Sequence, residues 1–327
     1  MNILVTGGAG YIGSHTVNEL LYDKHSVVVY DNLSKGHSAA VPAGVQLVVG
    51  DIRDRELLAR TLRENAIEAV VHFAADSLVG ESMQQPSKYY HNNVLASLAL
   101  LDTMRECGVD KIVFSSTAAV YGEPDKYPIT EDMPNAPTNV YGRTKLVIEG
   151  MLADFARAYG MKYVSLRYFN AAGALEGGDI GEDHTPETHL IPLIIKTALG
   201  QREAIDIYGT DYPTTDGTCI RDYIHVTDLA AAHVLALKHL ISGGDSKIYN
   251  LGSENGFSVR QVIETAKAVT GVDFAVREMP RRAGDPAVLV ASSAKIRAEQ
   301  GWKPVRSQLE DIISSACVWH RNNPDWF

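Results

Sequence analysis

Cysteine is scarce in this chain of 327 residues. Cys107, Cys219 and Cys317 are its only three, scattered and odd in number. That argues against a disulfide framework and against a thiolate metal cluster, so no metal is expected. Positive charge is also in short supply. Thirty Lys and Arg against forty Asp and Glu leave a net charge of −10, which argues against a general nucleic-acid or acidic-membrane surface. An anionic ligand would need a local cluster of arginines. No apolar run approaches the roughly 20 residues of a membrane helix. No basic leader with a cleavage site opens the chain, so the cytoplasm is the expected compartment. Internal repeats and low-complexity segments are missing too. What remains is an ordinary globular composition, 45% hydrophobic, 8% aromatic and 21% charged, with length for a large core and two domains.

Ile3-Leu4-Val5 reads as a short buried parallel strand, and Gly7, Gly10 and Gly13 follow at three-residue spacing. An amphipathic helix comes next, with Ile12, Thr16, Val17, Leu20 and Leu21 on one side. Strand, glycine turn and helix form the context of a dinucleotide-binding motif. Gly7 permits the tight turn, Gly10 the approach of a pyrophosphate, and Gly13 the packing of helix on strand. A second strand, Ser26-Val27-Val28-Val29-Tyr30, ends at Asp31, about twenty residues beyond the glycines. A carboxylate there accepts the adenosine ribose hydroxyls of NAD and repels the 2′-phosphate of NADP.

Further apolar runs end at Asp51-Ile52, Ala74-Ala75, Ser115-Ser116-Thr117 and Tyr168-Phe169-Asn170, with helical patterns such as Asn92–Cys107 and Arg143–Tyr159 between them. This alternation predicts an α/β fold, a doubly wound parallel Rossmann sheet, with ligands beyond the carboxyl ends of its strands. Residues 1–170 are expected to form this NAD-binding domain, joined by a returning helix and strand at about 227–252. Residues 171–327 are expected to form mainly a second, smaller α/β substrate domain, opened by a polar surface loop or lid over 171–189.

Tyr141 and Lys145 stand four apart at the start of a helix, hence on one face. A phenol acts as a base near neutral pH only if its anion is stabilised by about 4 kcal/mol; a neighbouring ammonium is the direct means, and the NAD nicotinamide is a second positive charge. Thr117, at the end of a neighbouring strand, can hydrogen-bond both phenol and substrate. Such a Tyr-x-x-x-Lys spacing arises by chance about once in a chain of this composition. The alternative is a helix-start tyrosine and a solvated lysine; the NAD motif upstream favours catalysis.

Taken together, Thr6–Gly13, Asp31-Asn32-Leu33, Gly50–Asp54, His72–Ala75, Val79–Ser82, Tyr89–Asn93, Phe114–Gly122, Tyr141–Lys145, Leu166–Gly173 and Gly217–Asp228 run nearly end to end. On these the chain resembles the extended short-chain dehydrogenase/reductase family, in particular the branch that inverts C4 of UDP-glucose and UDP-galactose. The resemblance implies a redox-neutral isomerase working through a transient 4-keto sugar with tightly bound NAD. It implies cofactor contacts at Gly7, Gly10, Tyr11, Ile12, Gly13, Asp31, Asn32, Asp51, Ile52, Phe73, Ala74, Ala75, Ser77, Asn92, Lys145 and Phe169. It implies UDP-sugar contacts at Thr117, Tyr141, Asn170, Asp206, Ile207, Tyr208, Arg221, Arg282, Asp285 and Leu289, with Tyr208 as a platform for uracil and the two arginines on phosphate.

Thr117 stands where many relatives carry Ser, and Ser77 where some carry Lys. Leu289 stands where relatives restricted to UDP-glucose and UDP-galactose carry a bulky Tyr, so room for an N-acetyl group on the sugar is expected. The resemblance also implies a homodimer through Leu95, Leu98 and Leu101 with Ile148, Met151, Leu152 and Phe155. Three rivals compete with this reading. A nucleotide-sugar 4,6-dehydratase shares the Tyr and Lys but carries Asp-Glu where this chain has Ala118-Ala119. A reductase using free NADPH is disfavoured by Asp31. A non-catalytic NAD-binding scaffold predicts loss of Tyr141 and Lys145, and both are present.

Overall fold

Seven short strands, all parallel, build the central sheet of the structure, a computed structural model that describes residues 1–282 and 285–324. Across the sheet they run Lys247–Asn250, Lys162–Arg167, Lys111–Ser115, Ala69–His72, Asn2–Thr6, Ser26–Asp31 and Gln46–Val49. The chain therefore starts mid-sheet, winds outward to Gln46–Val49, then crosses back and winds the other way. That reversal opens a crevice beyond the carboxyl ends of Asn2–Thr6 and Ala69–His72. The expected doubly wound sheet is what forms.

Strand periodicity explains the two core layers. Ile3 and Val5 face one side, packed with Val17 and Leu20 of the helix Tyr11–Tyr22 and with Leu229 and Leu237 of the helix Val226–Ile241. Leu4 and Val70 face the other, against Leu58 and Leu62, Leu100 and Met104, and Ile148 and Leu152. Each fully buried aliphatic side chain contributes about 1.5–3 kcal/mol. The helices on this second side are Arg55–Glu64, Ala96–Glu106 and Val140–Tyr159.

A third cluster, including Ile191, Ile195, Ile205, Ile263 and Ile312, is formed by the helices Leu190–Ala198, Val259–Thr270 and Leu309–Asn322 over a parallel strand pair, Ala204–Tyr208 with Ala275–Met279. Two differences from expectation bear on the site. The pattern Asn92–Cys107 starts earlier, at Pro86, and passes through a wide π turn over Tyr90–Leu95 before the helix Ala96–Glu106. The stretch 171–189 is not a surface lid throughout. Ala174, Ile180, Glu182 and Asp183 are buried, and the Trp319 indole donates to the Glu182 carbonyl at 3.1 Å. Among the described residues, no helix is long and apolar enough to cross a membrane.

Candidate active site

At the mid-sheet crevice, Gly7 adopts φ +73° and donates to the Tyr30 carbonyl at 2.9 Å. A Cβ on Gly7 would lie 2.6 Å from the Ala74 nitrogen, and one on Gly13 only 2.1 Å from the Gly7 carbonyl oxygen. The glycines thus let turn, helix and neighbouring strand close on one another. The helix Tyr11–Tyr22 starts at Gly10 with no side-chain cap, so the N–H groups of its first turn, Tyr11 to Gly13, are available to anionic oxygens. Asp31 is buried at the end of its strand. It accepts the Ala9 N–H at 3.0 Å and the Leu33 N–H at 2.9 Å, which anchors the glycine turn. Burial raises its carboxyl above the ordinary range and those two bonds oppose the rise.

The remaining expected cofactor residues follow the carboxyl ends of the strands or the helices beside them, with unequal freedom. Phe73 and Ala74 both donate to the Thr6 carbonyl, and Ala75 continues that turn. Ile52 is buried and Asn32 caps its own turn through Ser34. Asp51 is held by Arg53 through two hydrogen bonds, which lowers its carboxyl to about 2. Asn92 bonds the Asp76 carboxylate, Ser77 is exposed, and Phe169 packs against the small cluster of Ala118, Val120, Tyr121 and Ile129. Tyr11 is oriented by its own hydroxyl. Its hydroxyl turns away from the glycine turn to the Gly173 carbonyl, at 2.6 Å, so only its backbone faces a pyrophosphate.

Tyr141 and Lys145 lie on the first turns of the helix Val140–Tyr159. Asn139 caps this helix through Gly142 N–H at 2.8 Å, and Ser82 accepts the Tyr141 N–H at 3.1 Å. Gly142 permits the helix to press on the turn Ala118–Tyr121, since a Cβ there would meet the Ala119 carbonyl at 2.6 Å. Thr117, which caps that turn, is thereby brought into hydrogen-bonding contact with the Tyr141 phenol. Lys145 is buried. Its Nζ donates to the Ser115 carbonyl at 2.8 Å and sits 4.8 Å from the Phe114 ring centre and 5.9 Å from that of Tyr141.

Burial dominates the electrostatics of the two residues taken alone. Desolvation pushes the Tyr141 phenol up to about 12, with the Thr117 hydrogen bond pulling the other way. The same desolvation lowers Lys145 to about 7, against the charge of Glu149. Burial outweighs proximity, so the pair does not by itself hold a phenolate at neutral pH.

On the far wall, the strand Val288–Leu289 runs parallel to Ile220–Arg221 and sets Leu289 level with Arg221. Arg221 is ion-paired with Asp285, and the Arg282 guanidinium stacks on the Tyr208 ring at 3.8 Å. The expected phosphate, ribose and uracil contacts therefore satisfy one another. Ala283 and Gly284 between them lie outside the described residues. Asn170 donates to the Asp222 carbonyl at 2.8 Å. Two expected side chains point elsewhere. Asp206 is engaged by Arg202 and Arg277, and Ile207 is buried in the third cluster, which leaves only their backbone for a base.

Sequence reasoning missed the supports behind these groups. Glu149 and Arg167 form a buried ion pair. Glu149 also accepts from Ser116 at 2.6 Å, and Arg167 donates to the Tyr121 hydroxyl at 2.8 Å. Asn93 joins Asp76, in the cofactor loop, to Thr144 on the catalytic helix. His72 links Thr6 to Ser97, and burial lowers it to about 3, so it is neutral there. No local spacing announces contacts whose partners are 17 to 66 residues apart.

Residues 3–252 match the NAD dependent epimerase/dehydratase family. The UDP-glucose 4-epimerase of Halalkalibacterium halodurans is 55% identical over 324 residues, which is 99% of this chain and 97% of that protein. A crystal structure of a UDP-glucose 4-epimerase superposes with a TM-score of 0.98 at 53% identity, covering 100% of this chain and 99% of that one. The UDP-glucose 4-epimerase of Bifidobacterium longum, solved with NAD⁺ and UDP, gives 0.94 at 40% identity with both chains fully covered. With its glycine turn, Asp31 and the Tyr141–Lys145 helix in one crevice, this chain belongs to the NAD dependent epimerase/dehydratase family.

Proposed function

We propose that the protein is a UDP-hexose 4-epimerase that uses tightly held NAD. The observation that carries this reading is the convergence of Thr117, Tyr141 and Lys145 beside the glycine turn, at the carboxyl ends of the sheet. The crevice fits the cofactor. Its glycines leave no room for a Cβ where the turn meets Ala74, and an uncapped helix start faces the place of a pyrophosphate. When bound, NAD⁺ supplies a hydride acceptor for the sugar C4 and returns the hydride to the opposite face.

The chain's own residues do the rest. Tyr141 takes the proton of the sugar 4-hydroxyl and later gives it back, with Thr117 sharing the hydrogen bond. Lys145 holds positive charge below the phenol. Arg221 exchanges Asp285 for the diphosphate, and Arg282 leaves Tyr208 to do the same, which frees the ring for uracil. Asn170 helps hold the diphosphate while the 4-keto sugar turns over between the two half-reactions. Elimination of water across C5 and C6 lacks its proton carriers, since Ala118 and Ala119 stand beside Thr117. Leu289, level with Arg221, is shorter than the Tyr expected in relatives restricted to UDP-glucose and UDP-galactose, and on that difference in size UDP-N-acetylhexosamines belong to the proposed range.

A cytoplasmic homodimer completes the proposal, through the part of the expected surface that this chain leaves uncovered. Leu101, Ile148 and Leu152 are buried in this chain's own core, whereas Leu95 is 48% exposed and Leu98, Met151 and Phe155 are only partly covered. The test is conversion of UDP-galactose by purified protein without added cofactor. Tyr141→Phe is expected to abolish turnover with NAD still bound, and undiminished conversion would remove the proposed base.

A further inference from the structure

Two histidines and two glutamates from one short loop meet beside the cofactor crevice. One ligand atom from each of Glu182, His184, Glu187 and His189 lies within 4.8 Å of all the others. The His189 Nδ1 is 2.9 Å from both a Glu182 and a Glu187 oxygen, and the His184 Nδ1 is 3.3 Å and 3.7 Å from the same two carboxylates. A tetrahedral zinc site with ligands at about 2.1 Å has donor–donor edges of roughly 3.4 Å, so these separations bracket it.

Two ordinary ion pairs account for the cluster less well. A ring N–H aims at one oxygen, not two. Neither the His184 Nδ1 nor the Glu187 Oε2 has a hydrogen-bond partner, although the Glu187 side chain is only 2% exposed and faces the cluster. A cation at the centre would satisfy every one of these atoms. The other Glu187 oxygen is fixed by the backbone N–H groups of Thr188 and His189, which orients the carboxylate as an outer shell does at a metal.

We propose that these four residues bind one divalent transition-metal ion of the zinc class, which clasps the loop 182–189 onto the dinucleotide crevice. The loop touches the segments that follow the first two strands, on one side of that crevice. The His184 ring meets Tyr11 edge-on at 6.4 Å, Asp183 pairs with His37, and Lys35 donates to the Thr185 carbonyl. The scarcity of cysteine argued against a metal, but this set needs none, and its spacing Glu-x-His-x-x-Glu-x-His lay in a stretch read as a polar lid.

The test uses untagged, full-length holoprotein exhaustively dialysed against metal-free buffer. Elemental analysis, calorimetric titration with zinc, and the visible spectrum with cobalt(II) then report on the site without any assay of turnover. About one equivalent, a tetrahedral cobalt spectrum, and binding weakened roughly 100-fold or more in Glu187→Gln or His189→Ala are expected, since loss of even an outer-shell partner costs 10–100-fold. Absence of both bound metal and saturable zinc binding in the unaltered protein would overturn the proposal. So would binding undiminished in the folded variants.

Discussion

Lys145→Met separates two effects that burial has fused in this site. A cation 5.9 Å from the Tyr141 ring centre favours the phenolate by about 3 kcal/mol at an effective dielectric of about 20. Removing it is expected to lower kcat for UDP-galactose roughly 100-fold, if the phenolate is the base. Stability is expected to move the opposite way. Burial lowers the lysine from 10.5 to about 7, so the charged ammonium disfavours the fold by about 5 kcal/mol at pH 6 and below. Between pH 7 and 10.5 the folded protein binds fewer protons here than the unfolded chain, so this contribution makes stability rise with pH across that window. Methionine removes both the penalty and the slope but leaves the Ser115 carbonyl unpaired, at about 1–3 kcal/mol. A net gain of about 2–4 kcal/mol near pH 6 follows, shrinking toward pH 10. Urea unfolding at several pH values, with turnover and bound NAD measured on the same preparations, checks it. A variant that retains NAD and turns over within about 3-fold of the parent would refute the electrostatic role. One that is less stable at pH 6 would refute the burial argument.

Gly13→Ala places a methyl 2.1 Å from the Gly7 carbonyl oxygen, and the purified protein is expected to lose its NAD, measured by chromatography of nucleotide released on denaturation. Glu149→Gln leaves the Arg167 guanidinium buried without a counter-charge and is expected to cost about 3–5 kcal/mol in urea unfolding, whereas a loss below about 1 kcal/mol would show that the pair is not needed. Leu289→Tyr is expected to suppress conversion of UDP-N-acetylgalactosamine while sparing UDP-galactose, and equal loss on both substrates contradicts the assigned position of the sugar 2-substituent.

The sheet was legible because its strands carry their own signature. Ile3-Leu4-Val5 and Ser26–Tyr30 are continuous apolar runs, as strands buried on both faces must be, and each stops at a polar residue, Thr6 or Asp31. The glycine turn was legible for a related reason. Its three roles belong to one residue type at one spacing, and the Cβ distances at Gly7 and Gly13 give those roles a steric basis. Short strands outside the sheet were harder to read. Ile220–Arg221 and Val288–Leu289 hold two residues each, too few for any periodicity, yet their pairing brings Leu289 level with Arg221.

The least legible property was the sign of the energies. Four residues of helix suffice to bring Lys145 under Tyr141, and spacing alone argues that the ammonium acidifies the phenol. The Nζ is instead drawn to the Ser115 carbonyl at the end of a strand that enters the chain thirty residues earlier, and Lys145 is buried beside a Tyr141 that is itself partly covered. Desolvation penalises the phenolate and the ammonium alike, so one environment accounts for both the rise to about 12 and the fall to about 7. The same low dielectric strengthens the attraction between them once both are charged. A penalty on each charge alone and a strong attraction between the two together set how far the lysine supports the phenolate. That balance belongs to the packing of helix on strand, and no reading of the Tyr-x-x-x-Lys spacing contains it.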